Sequence, residues 1–481
     1  MTRYDLSKTY KFQGLWWIGG TSAKFPGQLI LSPDEIKLRV YGNSSDLAPL
    51  DDYDSEKNKL PIFGKSDNGT LFTLWSASSL GLSHSSQRIA SVEREWHAVA
   101  IILANYCFIG KHIDSPNDKV DADCYINFPH LEAWFGQPFH ETKSMANNQK
   151  GVLISLDIKD LGNLINVELP SMKVKLKSHH AVQFNGGEEF KQYNSDCTAY
   201  LIFQAGHDIS PDNVMNFAYN VTNLWSLFTG VHIAPQEVFF RKINEQLRNW
   251  DEVRIYSPLK EYGAFDRIYH HRDILLKYEI LKNSIGNIVD KWLSEGDQMS
   301  AVKSLFFNAY RSRRKRVYTV SQFLNYVTIL EIIGRRDDKP EKHLSKNDAK
   351  ALRDKLEKVI NEFMPETDQR ARIVKKLDYI HVPTLRESIE KIADGLMPQT
   401  KKQFSLLDTA MIQKLVHSRN YYTHYGDVNR GNVISLDDLP SAINQLTIIT
   451  SLLLLKKLGI NEELIMDGFK NRWDYKSALR N

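Results

Sequence analysis

The stretch that decides the fold of the second half is LVHSRNYYTHYGD, residues 415–427. It predicts the last turns of a helix that ends at Gly426, because glycine readily adopts the left-handed conformation that stops a helix. Inside this helix, Arg419 and Asn420 are followed by His424. An isolated arginine and histidine at this spacing are usually just solvated side chains, so a functional interpretation depends on the rest of the chain.

The arrangement of Arg419, Asn420 and His424 resembles the R-x(4–6)-H signature of the HEPN superfamily of metal-independent ribonucleases, in which a small polar residue often follows the arginine. The resemblance implies an all-α helical bundle and an endoribonuclease that needs neither a metal nor a cofactor. It also implies catalytic roles for Arg419, His424 and Asn420. The substrate implied is RNA, and tRNA is among the structured RNAs that such nucleases often cut.

The chemistry of RNA cleavage explains why these residue types occur together. Without a metal, the 2′-hydroxyl of the substrate attacks the adjacent phosphorus, so a base must accept its proton and an acid must protonate the leaving 5′-oxygen. Histidine suits both roles because its ordinary pKa of about 6.5 lies near neutral pH. Arginine keeps its proton and offers two parallel hydrogen bonds to phosphate oxygens, which suits the charge that develops on the phosphorane.

The spacing of the motif raises a geometric problem. At about 3.6 residues per turn, five positions rotate the chain by about 500°, which leaves Arg419 and His424 roughly 140° apart on a helix. Either Arg419 reaches around the helix or the helix frays before Gly426, whereas His417 and Asn420 lie closer to the His424 face. HEPN nucleases generally bring two motifs together in a two-fold dimer, so we predict a homodimer formed through the HEPN domain.

The length and composition of the chain set broad limits. Its 481 residues suffice for two domains, and its formal net charge of +4 indicates that any nucleic-acid surface is a local patch. The three cysteines are isolated and odd in number, which favours a reducing compartment and argues against structural zinc. No apolar signal core follows Met1, and the apolar run at 446–455 is too short for a membrane span. We therefore expect a soluble, cytoplasmic protein with no membrane partner.

The N-terminal half predicts mostly β-strands. Strands that alternate between apolar and polar residues, or that are rich in β-formers, are indicated at 12–18, 27–32, 36–42, 71–75, 95–108 and 198–203. The second and third of these make a hairpin through Pro33-Asp34-Glu35. A helix is predicted from Pro211 through Phe228, with a shorter one near 131–134. No catalytic or metal-binding constellation stands out in this half.

Three short motifs follow one another in this β-rich half: Gly14-x-Trp16-Trp17, then Pro26-Gly27-x-Leu29-x-x-Ser32, then Ile62-Phe63-Gly64-Lys65 before Gly69-Thr70-Leu71. Their order resembles the N-terminal domain of ApeA-type proteins, which are bacterial anti-phage proteins that pair this domain with a C-terminal HEPN nuclease. Such a nuclease must normally be off in its host. The N-terminal domain is therefore expected to sense an unknown phage trigger or to restrain activity.

After a linker at 256–272, the pattern changes from strands to helices. An apolar stripe from Ile274 to Trp292 predicts the first helix, and Thr319 forms a capping box with Gln322 for the third helix, which Gly334 ends. The helices predicted in all are 274–292, 301–310, 320–333, 346–363, 368–379, 383–393, 406–425 and 438–458. The motif thus falls in the penultimate helix. By the resemblance, Glu331 corresponds to an acidic position that recurs in HEPN bundles.

The densest basic cluster of the chain lies between the second and third predicted helices. It either binds RNA phosphates beside the catalytic groove or is a solvated loop, and its residues are Arg311, Arg313, Arg314, Lys315 and Arg316. Tyr422 is a further candidate for RNA binding, because tyrosine rings stack on bases. At least one of Tyr421, Tyr422 and Tyr425 is expected to pack into the bundle instead.

These observations predict an α+β multidomain protein. A β-rich ApeA-like N-terminal domain (1–255) is followed by a linker (256–272) and by an all-α HEPN helical bundle (273–481). The predicted function is metal-independent RNA cleavage by 2′-hydroxyl attack in bacterial anti-phage defence. Two alternatives stay open: a non-catalytic HEPN-type protein that binds nucleotides, RNA or a regulatory partner, and a DNA-directed regulator built on the basic cluster.

Overall fold

A computed structural model gives two compact units, Met1–Glu295 and Gly296–Asn481. The predicted fold class is confirmed, because the first unit is β-rich with inserted helices and the second is helical. The residues that the structure describes are 3–55, 60–86, 96–114, 122–137, 140–147, 151–158, 161–186, 193–205, 211–244, 249–259, 271–294, 296–313, 319–335, 345–364, 368–377, 382–424 and 432–479.

The strands of the first unit include every strand that the sequence predicted. In chain order they are β1 Tyr10–Ile18, β2 Phe25–Leu31, β3 Ile36–Asn43, β4 Ile62–Ser66, β5 Leu71–Ser86, β6 Trp96–Ile109, β7 Asp123–Asn127, β8 His140–Asn147, β9 Gly151–Ile158, β10 Asn166–Leu169, β11 Val174–Gly186, β12 Tyr193–Ala205, β13 Glu237–Asn244 and β14 Asn249–Tyr256. The predicted hairpin is confirmed as β2 and β3, which pair antiparallel.

The first six strands close into an antiparallel barrel. Their pairing runs β1-β2-β3-β6-β5-β4 and returns to β1. Beyond the end of β3, β14 pairs with β6, and the sheet continues as β13, β7, β12, β11 and β10. Closure removes the open sheet edges that would otherwise invite pairing with other chains. The sequence predicted the strands but not their closure.

The barrel interior holds Trp16, which is 1 % exposed. On the neighbouring strand Trp16 lies opposite Gly64, and a Cβ atom at Gly64 would overlap the indole ring. A Cβ atom at Gly27 would also come within 2.8 Å of that ring. Glycine is therefore required on both sides of this tryptophan, because close-packed interiors leave no room for even one more methyl group. This explains why these glycines accompany Trp16 in the motifs read from the sequence.

The helices of the first unit correct one prediction. They are α1 Ser44–Leu47, α2 Leu131–Phe135, α3 Pro211–Thr229, α4 Tyr278–Leu281 and α5 Ile285–Ser294. The stripe predicted as one helix over 274–292 is therefore broken, with a turn closed by Ser284 N donating to Leu281 O at 2.9 Å. The predicted helices at 211–228 and 131–134 are confirmed.

The segment that contains α4 and α5 packs against the β-rich unit. Trp292 Nε1 donates to Asn220 O in α3 at 2.8 Å, and Trp134 Nε1 donates to Leu276 O at 2.7 Å. The division between units accordingly falls after residue 295, which is C-terminal to the predicted linker at 256–272. Residues 260–270 of that linker lie outside the described residues. An apolar stripe shows that a helix is buried but not which core buries it.

The second unit is a helical bundle. Its helices are α6 Asp297–Arg313, α7 Val320–Arg335, α8 Lys346–Phe363, α9 Asp368–Leu377, α10 Leu385–Asp394, α11 Pro398–Lys401, α12 Thr409–His424, α13 Leu439–Lys457, α14 Glu462–Lys470 and α15 Trp473–Lys476. Because α14 and α15 follow α13, the motif helix α12 is not the penultimate helix, and that prediction is wrong. These last helices are too short for their apolar spacing to be read from the sequence.

Helix α7 occupies the centre of the bundle, where α6, α10, α12 and α13 contact it. Its predicted capping box is confirmed: Gln322 N donates to Thr319 Oγ1 at 3.2 Å, and Thr319 N donates to Gln322 Oε1 at 2.9 Å. Gly334, however, lies within α7 rather than ending it. A Cβ atom there would overlap Ser388 O, so this glycine permits the close approach of α10.

Helix α13 is long and apolar enough to cross a membrane by length and composition alone. It lies inside the bundle, and 72 % of its most apolar window is buried there. Burial of this kind is typical of the core helix of a globular bundle.

Candidate functional site

Helix α12 is held in the bundle along one face. The buried residues on that face are Ile412, Leu415, Ser418 and Tyr422. Ser418 Oγ donates to Lys414 O at 2.7 Å and accepts from Ile434 N at 2.8 Å. The small hydroxyl thus fixes the segment that follows the motif against the helix. The residues on the other side of α12 are left at the surface.

Tyr422 belongs to this buried face. It is 7 % exposed, and its hydroxyl donates to Ile434 O at 2.7 Å. Its ring also packs at 5.9 Å from that of Phe323 in α7. A ring enclosed in this way cannot stack on a base, so the structure contradicts the prediction that Tyr422 binds RNA. The physical reason is helical spacing, since Leu415, Ser418 and Tyr422 repeat every three and four residues.

Arg419 lies at the edge of the buried face, with its side chain 33 % exposed. Its Nη2 atom is 3.7 Å from Glu331 Oε2 in α7, and its Nη1 atom donates to Asn420 Oδ1 at 3.3 Å. Glu331 forms a second ion pair with Arg335, whose side chain is 43 % exposed. The carboxylate therefore holds two guanidinium groups side by side. We name Arg335 and Arg419, which share Glu331, the arginine pair.

No role was predicted for Arg335, because the third helix was expected to end before Gly334. The observed helix α7 extends to Arg335 and so places it one turn after Glu331. Two adjacent cations that share one carboxylate form a surface that attracts phosphate oxygens. Glu331 was predicted from the resemblance alone, and the structure places its carboxylate 3.7 Å from Arg419 of the motif.

His424 is the last residue of α12 and is exposed, as is Asn420. The helix continues through the whole motif, so Arg419 and His424 face different directions, as the spacing predicted. Thr423 Oγ1 donates to Arg419 O at 2.7 Å, which adds a hydrogen bond in this last turn. Gly426, the predicted helix stop, lies outside the described residues.

His417 stands two turns before His424 on the same side of the helix. It is half-buried, and its Nδ1 atom is enclosed without a hydrogen-bond partner among the described residues. In the part of the chain that the structure describes, no three His, Cys, Asp or Glu side chains lie close enough together to hold a metal ion. The side chains at and beside the motif carry imidazole, guanidinium, amide and carboxylate groups.

Comparison with protein-family models gives two matches along the chain. The model described as ApeA N-terminal domain 1 matches residues 11–292, more than half of the chain, and the model described as Apea-like HEPN matches residues 324–464. The chain belongs to the ApeA family. A search of curated proteins and a search of solved structures each found no match.

The matched ranges agree with the architecture. The ApeA N-terminal match ends at residue 292, inside α5, which is the helix that packs onto the β-rich unit. The Apea-like HEPN match begins in α7 and includes Glu331, Arg335, Arg419, Asn420 and His424. All the polar residues that the structure gathers at α12 therefore lie in the HEPN part of this ApeA family member.

The basic cluster precedes the HEPN match. Helix α6 extends through Arg311 to Arg313, so part of the cluster is helical rather than a loop. Arg311 is half-buried, and its Nε atom is shielded from solvent. Arg314, Lys315 and Arg316 lie outside the described residues. RNA binding by this cluster stays a prediction.

Proposed function

We propose that this ApeA family member is a metal-independent endoribonuclease that acts in the bacterial cytoplasm as part of anti-phage defence. HEPN domains are generally ribonucleases, and the observation that carries the proposal is that an exposed His424 and a restrained Arg419 lie on one helix within the HEPN match. The N-terminal unit would sense the phage trigger and keep the nuclease off until infection.

Each polar residue of the motif has a role in this proposal. His424 takes the proton of the 2′-hydroxyl or delivers one to the leaving 5′-oxygen, as the substrate's own hydroxyl attacks phosphorus and a 2′,3′-cyclic phosphate forms. Arg419 stabilises the negative charge on the phosphorane through its guanidinium donors. Asn420, which already accepts a hydrogen bond from Arg419 Nη1, orients that guanidinium.

One chain supplies one motif histidine, whereas the reaction needs an acid and a base. We therefore propose that two HEPN domains share the site across a two-fold axis. Two features support this: His424 and Asn420 are exposed, so a second subunit can reach them, and Arg419 and His424 point away from each other on α12.

The activity is tested with purified protein and total RNA, followed by purified tRNA as one structured substrate. Cleavage is expected to persist in a chelator, to leave 2′,3′-cyclic phosphate ends, and to fail on an all-deoxy oligonucleotide of the same sequence. Strict dependence on magnesium, or equal cutting of DNA, would exclude attack by the 2′-hydroxyl. Folded protein that leaves every RNA intact, even after induction during infection, would favour the non-catalytic alternative.

Sharing of the site is tested with two inactive variants, Arg419→Ala and His424→Ala, expressed together with different tags. If the site is shared, a mixed dimer retains one intact arginine opposite one intact histidine, and partial cleavage returns in the doubly tagged species. A tagged pair of His424→Ala subunits is the matched control and should stay inactive. A protein that is monomeric at its working concentration and fully active would contradict the shared site.

A further inference from the structure

The outer surface of the barrel carries exposed side chains that its own fold does not use. On β1 to β4, alternate residues fill the interior and the others point outward. Leu15 is 47 % exposed and Tyr41 is 39 % exposed, so large apolar groups stand in water here. We name this surface the barrel face, and its residues are Leu15, Trp17, Lys24, Arg39, Tyr41 and Lys65.

The charge of this surface has one sign. Strands β1 to β4 contain four lysine and arginine residues and no aspartate or glutamate. One of the four, Lys37, pairs with Glu35 at 3.3 Å. Among the described residues, no acidic side chain forms an ion pair with Arg39, Lys65 or Lys24. The nearly balanced chain thus concentrates unpaired positive charge on one face of the barrel, which attracts a polyanion.

Aromatic rings lie beside these cations. Trp17 is half-buried, with its ring 6.1 Å from that of Phe63 and 5.4 Å from that of His112. His112 is held in place because one of its ring nitrogens lies 3.1 Å from Gly64 O. Lys24 Nζ lies 4.8 Å from the Trp17 ring centre. The result is a supported ring with a cation over its face, so aromatic and positively charged groups lie together at this point of the barrel.

An open depression of about 460 Å³ lies at another part of the barrel face. Lys24 and Tyr41 of the barrel face line it, together with the amide of Asn43 and the carboxylate of Asp46. A cation, an exposed phenol ring and an amide in one depression match the phosphate, the flat face and the polar edge of a nucleotide. Asp46 is the acid that lines it, and its carboxylate can accept from an exocyclic amino group.

We propose that the barrel face binds single-stranded nucleic acid, with one base stacked on the exposed Tyr41 and phosphates against Arg39 and Lys65. Lys24 would move from the Trp17 ring to a phosphate and so open that ring to a second base. Rings together with unpaired cations on a β-barrel provide what single strands need, because stacking accepts any base and cations follow the backbone. A duplex hides its base faces, so the rings add nothing for it. This proposal does not depend on the ribonuclease activity.

The test uses full-length His424→Ala protein, which should not cleave, and fluorescein-labelled dT12 and U12 measured by fluorescence anisotropy. The protein should bind both single strands and bind a DNA duplex of equal length more weakly. Combined substitution Lys24→Ala, Arg39→Ala and Lys65→Ala should reduce the slope of log affinity against log salt by about 2, since each phosphate contact on a single strand contributes about 0.7. All three side chains are exposed, so this variant should fold.

The matched control removes three exposed lysines from α8, through Lys350→Ala, Lys355→Ala and Lys358→Ala. It changes the net charge equally and should keep the parental slope. Any binding by the basic cluster is common to all variants and cancels in the comparison. The exposed ring variant Tyr41→Ala should weaken dT12 binding by about 5-fold or more without changing the slope.

Three results would overturn the proposal. They are no binding of dT12 or U12 at low salt, equal slopes for the barrel and α8 variants, and duplex binding as tight as single-strand binding. If the barrel face instead serves an acidic protein, the first result is expected. Because the oligonucleotides are bound and not cut, a failure of the ribonuclease proposal would leave these outcomes unchanged.

Discussion

Each unit of the molecule contains a cluster of arginine and glutamate side chains, and the two clusters differ in burial. In the first unit, Arg241 and Arg254 both pair with Glu252, whose side chain is 1 % exposed. Their guanidinium groups lie 5.1 and 5.0 Å from the Phe239 ring. In the second unit, the arginine pair shares Glu331, whose side chain is 14 % exposed.

The difference shows what burial does to the same chemistry. In the sheet cluster, both arginines lie over aromatic rings and their side chains are 24 % and 10 % exposed, so the charges mainly stabilise packing. In the arginine pair, Glu331 restrains two guanidinium groups while leaving them 33 % and 43 % exposed. An anion-binding site requires side chains that are held in place and are still accessible to the ligand. Residue types alone do not separate these two situations.

The largest expected effect comes from the motif histidine. His424→Ala should lower RNA cleavage by about 10²- to 10⁴-fold, because one proton-transfer group is lost. Its thermal midpoint should stay at the parental value, since the side chain is exposed. Gln413→Ala, an exposed position on the same helix, is the control and should change neither quantity. Parental cleavage by a folded His424→Ala protein would show the site assignment to be wrong.

Arg254→Ala should act on stability instead. Removing this arginine leaves Glu252 and Glu237 with fewer cations in a buried setting, which typically costs about 3–5 kcal/mol. Denaturant unfolding followed by tryptophan fluorescence measures the loss. Cleavage per folded molecule should not change. If Arg254→Ala left the unfolding midpoint unaltered, the contrast between the two clusters would not hold.

Arg419→Ala tests the more exposed of the two clusters, where we expect activity to change and stability to be kept. Loss of a donor to the developing charge should reduce cleavage by about 10²- to 10³-fold. Stability should change little because an exposed ion pair contributes only about 0–1 kcal/mol. Arg419→Lys tests the fork geometry: a single ammonium keeps the charge but cannot donate in parallel, so it should restore only part of the activity. Full activity in Arg419→Lys would assign the residue a general electrostatic role.

The sequence predicted the individual strands and turns better than the closure of the barrel. Alternation along Phe12–Ile18 and the hairpin at residues 27–42 identified β1 to β3, because strand period and turn residues are local signals. Closure depends on the pairing of β4 with β1 and of β6 with β3, which are distant along the chain, and single residues give no pattern for such pairing. The apolar stripe from Ile274 to Trp292 correctly predicted buried helical segments. It did not predict the break between the two helices, or that they pack against the β-rich unit.

The identity of the site residues stays a prediction, and only part of their geometry could be foreseen. Arg419, Asn420 and His424 were selected because a short motif implies a mechanism, and the structure places His424 and Asn420 at the surface. Tyr422 was assigned by residue type, although its spacing from Leu415 and Ser418 already indicated the buried face. Arg335 was missed because only the fold brings α7 beside α12.

The smallest expected effect concerns the pH dependence of the buried cluster. Burial raises the pKa of Glu237 despite the opposing effect of Arg254 and Arg3. A carboxyl group whose pKa is higher in the folded state retains its proton longer there, so its contribution to stability falls as pH rises from the unfolded pKa through the folded pKa. Glu237→Gln removes this dependence and can still accept the hydrogen bond that the Tyr200 hydroxyl donates at 3.2 Å.

The measurement is the difference in free energy of unfolding between Glu237→Gln and the parent, from about pH 4 to pH 7. We expect the variant to gain on the parent as pH rises, because only the parent must ionise a buried carboxyl group. Glu331→Gln changes the carboxylate of the other cluster, which is more exposed and sits between two arginines. It should slow cleavage by loosening Arg419. A Glu237→Gln variant that loses stability relative to the parent as pH rises would mean that ion pairing with Arg254 outweighs burial.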